Sequence, residues 1–438
     1  MAAMTELSAV PTTIDRKTVM QVARASFTGT AIEWYDYFLY GSAAALVFPQ
    51  VFFSELGPTA ALLASFATFG VAFLFRPLGG IIFGHFGDKM SRKQALVITL
   101  LIMGIGTFAI GLLPTTGQVG LLAPILLIVL RLIQGLGLGG EWGGAALMVV
   151  EHAPANRRGI YGVACQLGVP AGQLTSAGIL ALMALLPSDQ FLSWGWRVPF
   201  LFSGALVIVG LYIRAKVPES PKFLAIKAAN QQPKLPISEV FRHAKKTTLL
   251  LIFVQAASTV GYYLFTVYSL SYVSTELKLP QAWALTGVLV GAAVLLVAMP
   301  LYAALSDRIG RRPVYAAGTL FIALYAVPFF WLLNTRESTV IVLAIAAPIV
   351  FGYGPTGALH GPLYAEQYPT RYRYTGASVA YQFSSMVAGA PAALVAGALV
   401  AATGTTMSVS WYVIAAAFIS LLCVLFLKET YRADLTKE

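Results

Sequence analysis

Apolar runs of about 20 residues recur from one end of the chain to the other, and each is long enough to cross a hydrocarbon core about 30 Å thick. Twelve membrane helices are predicted, at residues 20–48, 60–84, 94–113, 119–149, 159–186, 195–215, 247–274, 282–305, 313–333, 339–364, 374–402 and 408–427. Polar stretches separate them, the longest at residues 216–246, where Pro218, Pro221, Pro233 and Pro236 stop the sixth span. Part of that stretch, residues 222–244, is expected to form a short amphipathic helix.

Composition turns this pattern into a class. The 438 residues are 58% hydrophobic and 11% charged, with a mean hydropathy of +0.76, whereas soluble domains carry about 25% charge. The net charge of +11 does not point to nucleic acid, because of where the cations fall. Apart from Arg76, Arg131, Arg197, Lys278 and Arg336, every Lys and Arg lies near a terminus or in the loops after even-numbered spans. That asymmetry predicts a multi-pass inner-membrane protein with both termini in the cytoplasm. Residues 1–19 are polar, so the first helix is expected to be the insertion signal. Cys165 and Cys423 both fall in apolar spans, which argues against a disulfide framework and a thiolate metal site. No cofactor, metal or catalytic residue set is expected, and the protein is read as a monomer in the lipid bilayer rather than an enzyme.

The chain also repeats itself. Asp88-Lys89-Met90-Ser91-Arg92-Lys93 follows span 2, and Asp307-Arg308-Ile309-Gly310-Arg311-Arg312 follows span 8, 219 residues later. Glu151, Pro154 and Arg158 after span 4 match Glu366, Pro369 and Arg373 after span 10. A duplicated six-helix unit is a construction common among secondary transporters. The expected organisation is a segment 1–19, a bundle 20–215, a connecting loop 216–246, a second bundle 247–427 and a tail 428–438.

These two loops, the Arg131-Leu132-Ile133-Gln134-Gly135 stretch and Pro218-Glu219-Ser220-Pro221 resemble the major facilitator superfamily. More narrowly, residues 32–41 (IEWYDYFLYG), 75–80 (FRPLGG), 139–144 (GGEWGG) and 194–200 (WGWRVPF) resemble the metabolite:proton symporter family, which includes transporters of shikimate, 2-oxoglutarate, citrate, proline and betaine. The similarity runs from about residue 20 to 428. Ser91 and Ala303 stand where the family's loop motifs carry glycine. The resemblance implies two six-helix bundles that rock about a central site and a proton-coupled importer, and the intramembrane cations Arg131 and Arg76 favour a small organic acid as its substrate. A zwitterionic osmolyte such as proline or betaine is the alternative substrate.

Glu33 and Asp36 are the residues that most need explaining, because an intramembrane acid is costly unless paired, protonated or hydrated. They share one face of the first helix with Tyr40, and Trp34 is expected on the far side as a helix contact. Helical rise puts Asp36 roughly 25 Å deep and Arg131 roughly 18 Å below the other surface, near one plane. Arg131 is therefore its expected partner, and the resemblance implies that both take part in proton coupling. Glu141 is read either as a second relay or as a structural partner of Arg76. Arg76 itself reads either as a snorkelling cation or as part of a gate or substrate site. The glycines from 135 to 144 match a dinucleotide-type pattern, yet their spacing of four suits close helix packing. Candidate substrate contacts are Arg131, Gln134, Tyr37, Gln166, Gln255, Tyr263, Tyr353 and Gln382, with His360 placed close to the cytoplasmic end. The resemblance assigns a cytoplasmic clasp to Asp88 and Arg92 and to their repeats Asp307 and Arg311, with Arg76 nearby.

Overall fold

A computed structural model describes residues 16–89, 92–215, 236–369 and 373–432. Among these the chain is helical, with no strand. Six long helices form the N-terminal half: α1 (Arg16–Leu46), α2 (Pro58–Lys89), α3 (Arg92–Gly111), α4 (Leu122–His152), α5 in two pieces (Arg158–Gln166 and Gly168–Met183) and α6 (Arg197–Ala215). Six more follow: α7 (Lys245–Glu276), α8 (Gln281–Ile309), α9 (Arg311–Leu333), α10 (Ser338–Glu366), α11 (Thr375–Thr403) and α12 (Met407–Phe426). With twelve crossings, both ends of the described chain lie on one side, called here the terminus-bearing face. The expected amphipathic helix is described only over Pro236–His243, and residues 222–235 lie outside the described residues.

Ten of these helices are long and apolar enough to cross a membrane on those grounds alone; α1 and α5 are not. α1 carries Arg16, Lys17, Arg24, Glu33 and Asp36, and α5 is broken at Leu167. The middle of α1 and both pieces of α5 are nonetheless packed inside, where protein surrounds Glu33, Asp36, Gln166 and Gln173. They lie against each other, and a side chain on Gly168 or Gly172 of α5 would run into the α1 backbone at Ala31 and Tyr35. Exposed apolar side chains lie instead on the outward sides of α2, α3, α4, α6, α8, α9 and α12, among them Leu74, Ile105, Ile208, Val297, Leu324 and Phe418.

The glycines of α4 have the expected packing use. Gly135 and Gly139 seat directly on the carbonyls of Ala72 and Arg76, four residues apart on α2, and a Cβ at either would collide with that backbone. This close approach fixes α2 and α4 side by side and positions Arg76 and Arg131, one on each helix.

Between the halves, α7, α10 and α11 depart from regular α-helix. π-helical turns occupy Leu264–Tyr268 and Tyr272–Glu276 in α7, Pro348–Tyr353 in α10 and Ser385–Gly389 in α11. Such turns are frequent at functional sites because they re-aim side chains and loosen the helix locally.

Candidate functional site

The helices α1, α7, α10 and α11 meet at a closed central cavity lined by Trp34, Gln255, Thr259, Tyr262, Tyr263, Tyr353, His360, Tyr381 and Ser385. Its free space is about 10 Å3, room for roughly one water molecule. Toward the terminus-bearing face, the Trp142 indole of α4 lies flat on the Tyr381 ring of α11 at 3.7 Å, with 6° between the planes. Gln382 Nε2 donates to Gly139 O at 3.1 Å, again joining α11 to α4. On the opposite side, Gly41 of α1 abuts Val267 of α7, and Gly70 of α2 abuts Ala390 after the α11 π-turn. The cavity is thus occluded from both faces.

Of the predicted substrate contacts, Gln255, Tyr263 and Tyr353 line this cavity. Arg131, Gln134 and Tyr37 stand one layer behind it, within the N-terminal half. Gln166 and Gln382 are engaged in contacts between the halves. Trp34, expected to face away, is part of the cavity wall. Both sides of α1 are buried, so an indole there finds helix neighbours in either direction. His360 is 1% exposed and faces the cavity rather than water at the end of α10, because α4, α5 and α11 close over it.

Arg131 and Asp36 do not form the expected ion pair. The Arg131 guanidinium sits over the Tyr40 ring at 4.0 Å and the Tyr37 ring at 5.3 Å, and its Nη1 donates to Gln134 Oε1 at 3.1 Å. Its Nε and Nη2 have no hydrogen-bond partner. Gln134 Nε2 donates onward to Thr107 Oγ1 at 2.8 Å, and Thr107 donates to Met103 O at 3.1 Å. Asp36, fully buried beside Thr107, has no hydrogen-bond partner for either oxygen.

Arg76 does not snorkel. It is 3% exposed, with its guanidinium over the Phe73 ring at 4.5 Å and the Tyr37 ring at 5.0 Å, so Tyr37 lies between the two arginines. Glu141 does not pair with it; its partner is Arg214 of α6, which also donates to Leu96 O on α3. Arg214 went unnoticed in the sequence because it ends a span next to Lys216 and reads as one more loop cation. Glu33 is buried near Glu141, Arg76 and Arg214, with one oxygen unpartnered.

At the terminus-bearing face, Asp307 at the end of α8 accepts from Gly159 N at 2.9 Å and Ile160 N at 3.1 Å, the first turn of α5 in the other half. A carboxylate there satisfies helix-end donors and meets the positive end of the dipole. Arg311 holds that acid at 2.8 Å and Glu366 at 3.1 Å. The side chains of Asp88 and Arg92 lie outside the described residues. Among the described residues no group of three or more His, Cys, Asp or Glu is placed to hold a metal.

The family model of the Major Facilitator Superfamily matches residues 27–393. The shikimate transporter of Escherichia coli (strain K12) is 41% identical over 426 residues, covering 96% of this chain and 97% of the relative. The proline/betaine transporter of the same organism is 34% identical over 432 residues, covering 96% of this chain and 85% of its own. Among solved structures, the D-xylose-proton symporter superposes with a TM-score of 0.72 at 19% identity, over 93% of this chain and 97% of that one. The twelve helices in two bundles, the enclosed central cavity and these matches together make the chain a transporter belonging to the major facilitator superfamily.

Proposed function

We propose that this protein is a proton-coupled importer of a small organic acid in the bacterial inner membrane, working by alternating access with both termini in the cytoplasm. The bodies that rock against each other are residues 20–215 and 247–427. The observation that carries the reading is the pairing of an acid with no donor and cations with donors to spare. Both Asp36 oxygens are buried without a hydrogen-bond partner, and a carboxyl group in that position costs less as the neutral acid than as a carboxylate. Asp36 is therefore the proton site, and Glu33 and Glu141 are accessory.

Arg131, with Nε and Nη2 unpartnered, and Arg76, with Nε unpartnered, flank Tyr37 behind the cavity wall. When Tyr37 moves aside they present charge-assisted donors to a substrate carboxylate. Tyr263, Tyr353 and Gln255 supply neutral contacts on the other side of the substrate. The 41% identity to a shikimate transporter over nearly the whole of both chains supports an organic acid.

A zwitterionic osmolyte is the second reading. The cavity wall itself is aromatic and uncharged, and rings of that kind receive a quaternary ammonium group.

Asp36→Asn tests the proton assignment in proteoliposomes. The variant is expected to lose accumulation driven by a pH gradient and to keep exchange of preloaded shikimate against labelled shikimate. Full uphill uptake by Asp36→Asn would rule the assignment out.

A further inference from the structure

Gln166 of α5 joins the two halves at the floor of the cavity, and its neighbours fix which way its amide points. The Trp142 indole N–H can only donate, and it lies 3.2 Å from Gln166 Oε1. The Gly357 carbonyl of α10 can only accept, and it lies 3.1 Å from Gln166 Nε2. Both agree that Nε2 is the amide nitrogen. That same nitrogen lies 3.2 Å from His360 Nδ1, so Nδ1 must accept. The imidazole is then neutral, with its hydrogen on Nε2 toward Ser258 Oγ at 3.5 Å.

We infer that the Gln166–His360 contact is a proton-operated latch between the bundles: protonation of His360 places an N–H against the Gln166 amide N–H, breaks the bridge and releases the floor toward the terminus-bearing face. An imidazolium has two donors and no acceptor, so no tautomer restores the contact. Gln166 cannot turn its amide to compensate, since that would set its nitrogen against the Trp142 N–H and its oxygen against the Gly357 carbonyl. Trp142 stacks on Tyr381 of α11, so the four side chains Trp142, Gln166, His360 and Tyr381 form one layer across α4, α5, α10 and α11. A proton entering through the cavity thus favours the state in which the floor is open. By linkage, a ligand that binds one of two states shifts the balance toward it.

The groups facing His360 leave the histidine as the titrating member of this layer. They are Tyr315 from α9, Tyr353 and Tyr364 from α10 itself, and Tyr381 from α11, with ring centres at 6.0 to 6.3 Å. α7 brings Ser258, Tyr262 and Gln255, α8 brings Tyr302 against Gly354, and α5 brings Cys165 next to Gln166. Arg76 and Glu33 act on Tyr381 from behind. Phenols and a thiol titrate far above an imidazole, and His360, desolvated in the closed state, reaches the ordinary imidazole range near pH ~6.5 only as opening of the floor hydrates it, which is what ties proton uptake to opening.

Spin labels at Asn156→Cys and Lys246→Cys, exposed on the terminus-bearing ends of the two halves, test the latch in substrate-free protein in lipid nanodiscs, with Cys165→Ser and Cys423→Ala as background. In this parent a longer-distance population is expected to grow as the pH falls from about 8 to about 5, the range that brackets imidazole titration. His360→Asn keeps an acceptor at the Nδ1 position and cannot take up the proton, so its distances should stay short throughout. Gln166→Leu has no bridge to lose and should show the longer distance at every pH. An unchanged pH response in His360→Asn, none in the parent, or a parent-like response in Gln166→Leu would each overturn the inference. The inference rests on the alternating-access reading above, and Asp36→Asn separates the two. Loss of uphill uptake in Asp36→Asn with an unaltered pH response in His360→Asn removes the latch and leaves the importer. A pH response that disappears in His360→Asn, together with full uphill uptake in Asp36→Asn, keeps the latch and removes only the assignment of the transported proton to Asp36.

Discussion

Glu141 and Arg214 show how a buried charge in this protein is made tolerable. The pair lies within the N-terminal half, with side chains 1% and 9% exposed, and Arg214 also binds the Leu96 carbonyl. Removing one member strands the other, a loss on the order of 3–5 kcal/mol, whereas replacing both by apolar residues of similar size is often nearly neutral. Glu141→Leu or Arg214→Met alone should therefore lower the thermal unfolding midpoint in detergent by several degrees, and the double variant should recover most of it. Additive losses in the double variant would show that the two residues do not depend on each other. The sequence made the costly acids legible, because charge inside an apolar run stands out whatever the fold. It did not make their partners legible. Arg214 reads as a loop cation, and Arg131, level with Asp36 by helical rise, turned out to rest on Tyr40 and Gln134 instead. Depth along a helix follows from counting residues, but the direction of a side chain around it depends on neighbours that only the packed structure supplies.

At the scale of elements, the helix spans, the α2–α4 glycine seat and the repeated Asp307–Arg311 corner follow from local pattern, since each depends on a fixed spacing within one short stretch. The π-turns of α7, α10 and α11 and the break in α5 do not, because no spacing marks an extra residue in a turn. These irregular elements are the ones that carry Tyr353, Ser385 and Gln166 to the centre. The N-terminus of α5 is the counterpart at the terminus-bearing face, held from the other half by Asp307. Asp307→Ala leaves the Gly159 and Ile160 amides without an acceptor and removes the charge from the helix end. A cap with a dipole interaction is worth about 1–2 kcal/mol, so the open fraction at that face should rise roughly 5- to 30-fold. The distance between labels at Asn156→Cys and Lys246→Cys reports it at a pH of about 8, where an imidazole is neutral. A distribution identical to that of the parent would mean that the corner does not hold the halves together.

For the molecule as a whole, the two substrate readings differ in the charge that crosses the membrane. A monoanionic acid entering with one proton carries no net charge, so only the pH gradient drives it. A zwitterion entering with one proton carries a unit positive charge and draws also on the membrane potential, at about 2.3 kcal/mol for each 100 mV. That energy corresponds to roughly 50-fold in accumulation, since about 1.4 kcal/mol is tenfold. The arrangement of Asp36, Arg131 and Arg76 calls for the first case. In the proposed reading one acid takes the proton, and the two arginines on either side of Tyr37, which never deprotonate at accessible pH, receive the substrate carboxylate once that ring moves aside. Proteoliposomes with a fixed pH gradient and a potassium diffusion potential set by valinomycin separate the cases directly. Uptake of labelled shikimate is expected to reach the same plateau with the potential at zero and at about −100 mV, and to collapse when the pH gradient is removed. A plateau that rises many-fold with the interior-negative potential, for proline or betaine in place of shikimate, would move the protein to the osmolyte reading. In that case the aromatic wall of the cavity, rather than the arginines behind it, would be the selective surface.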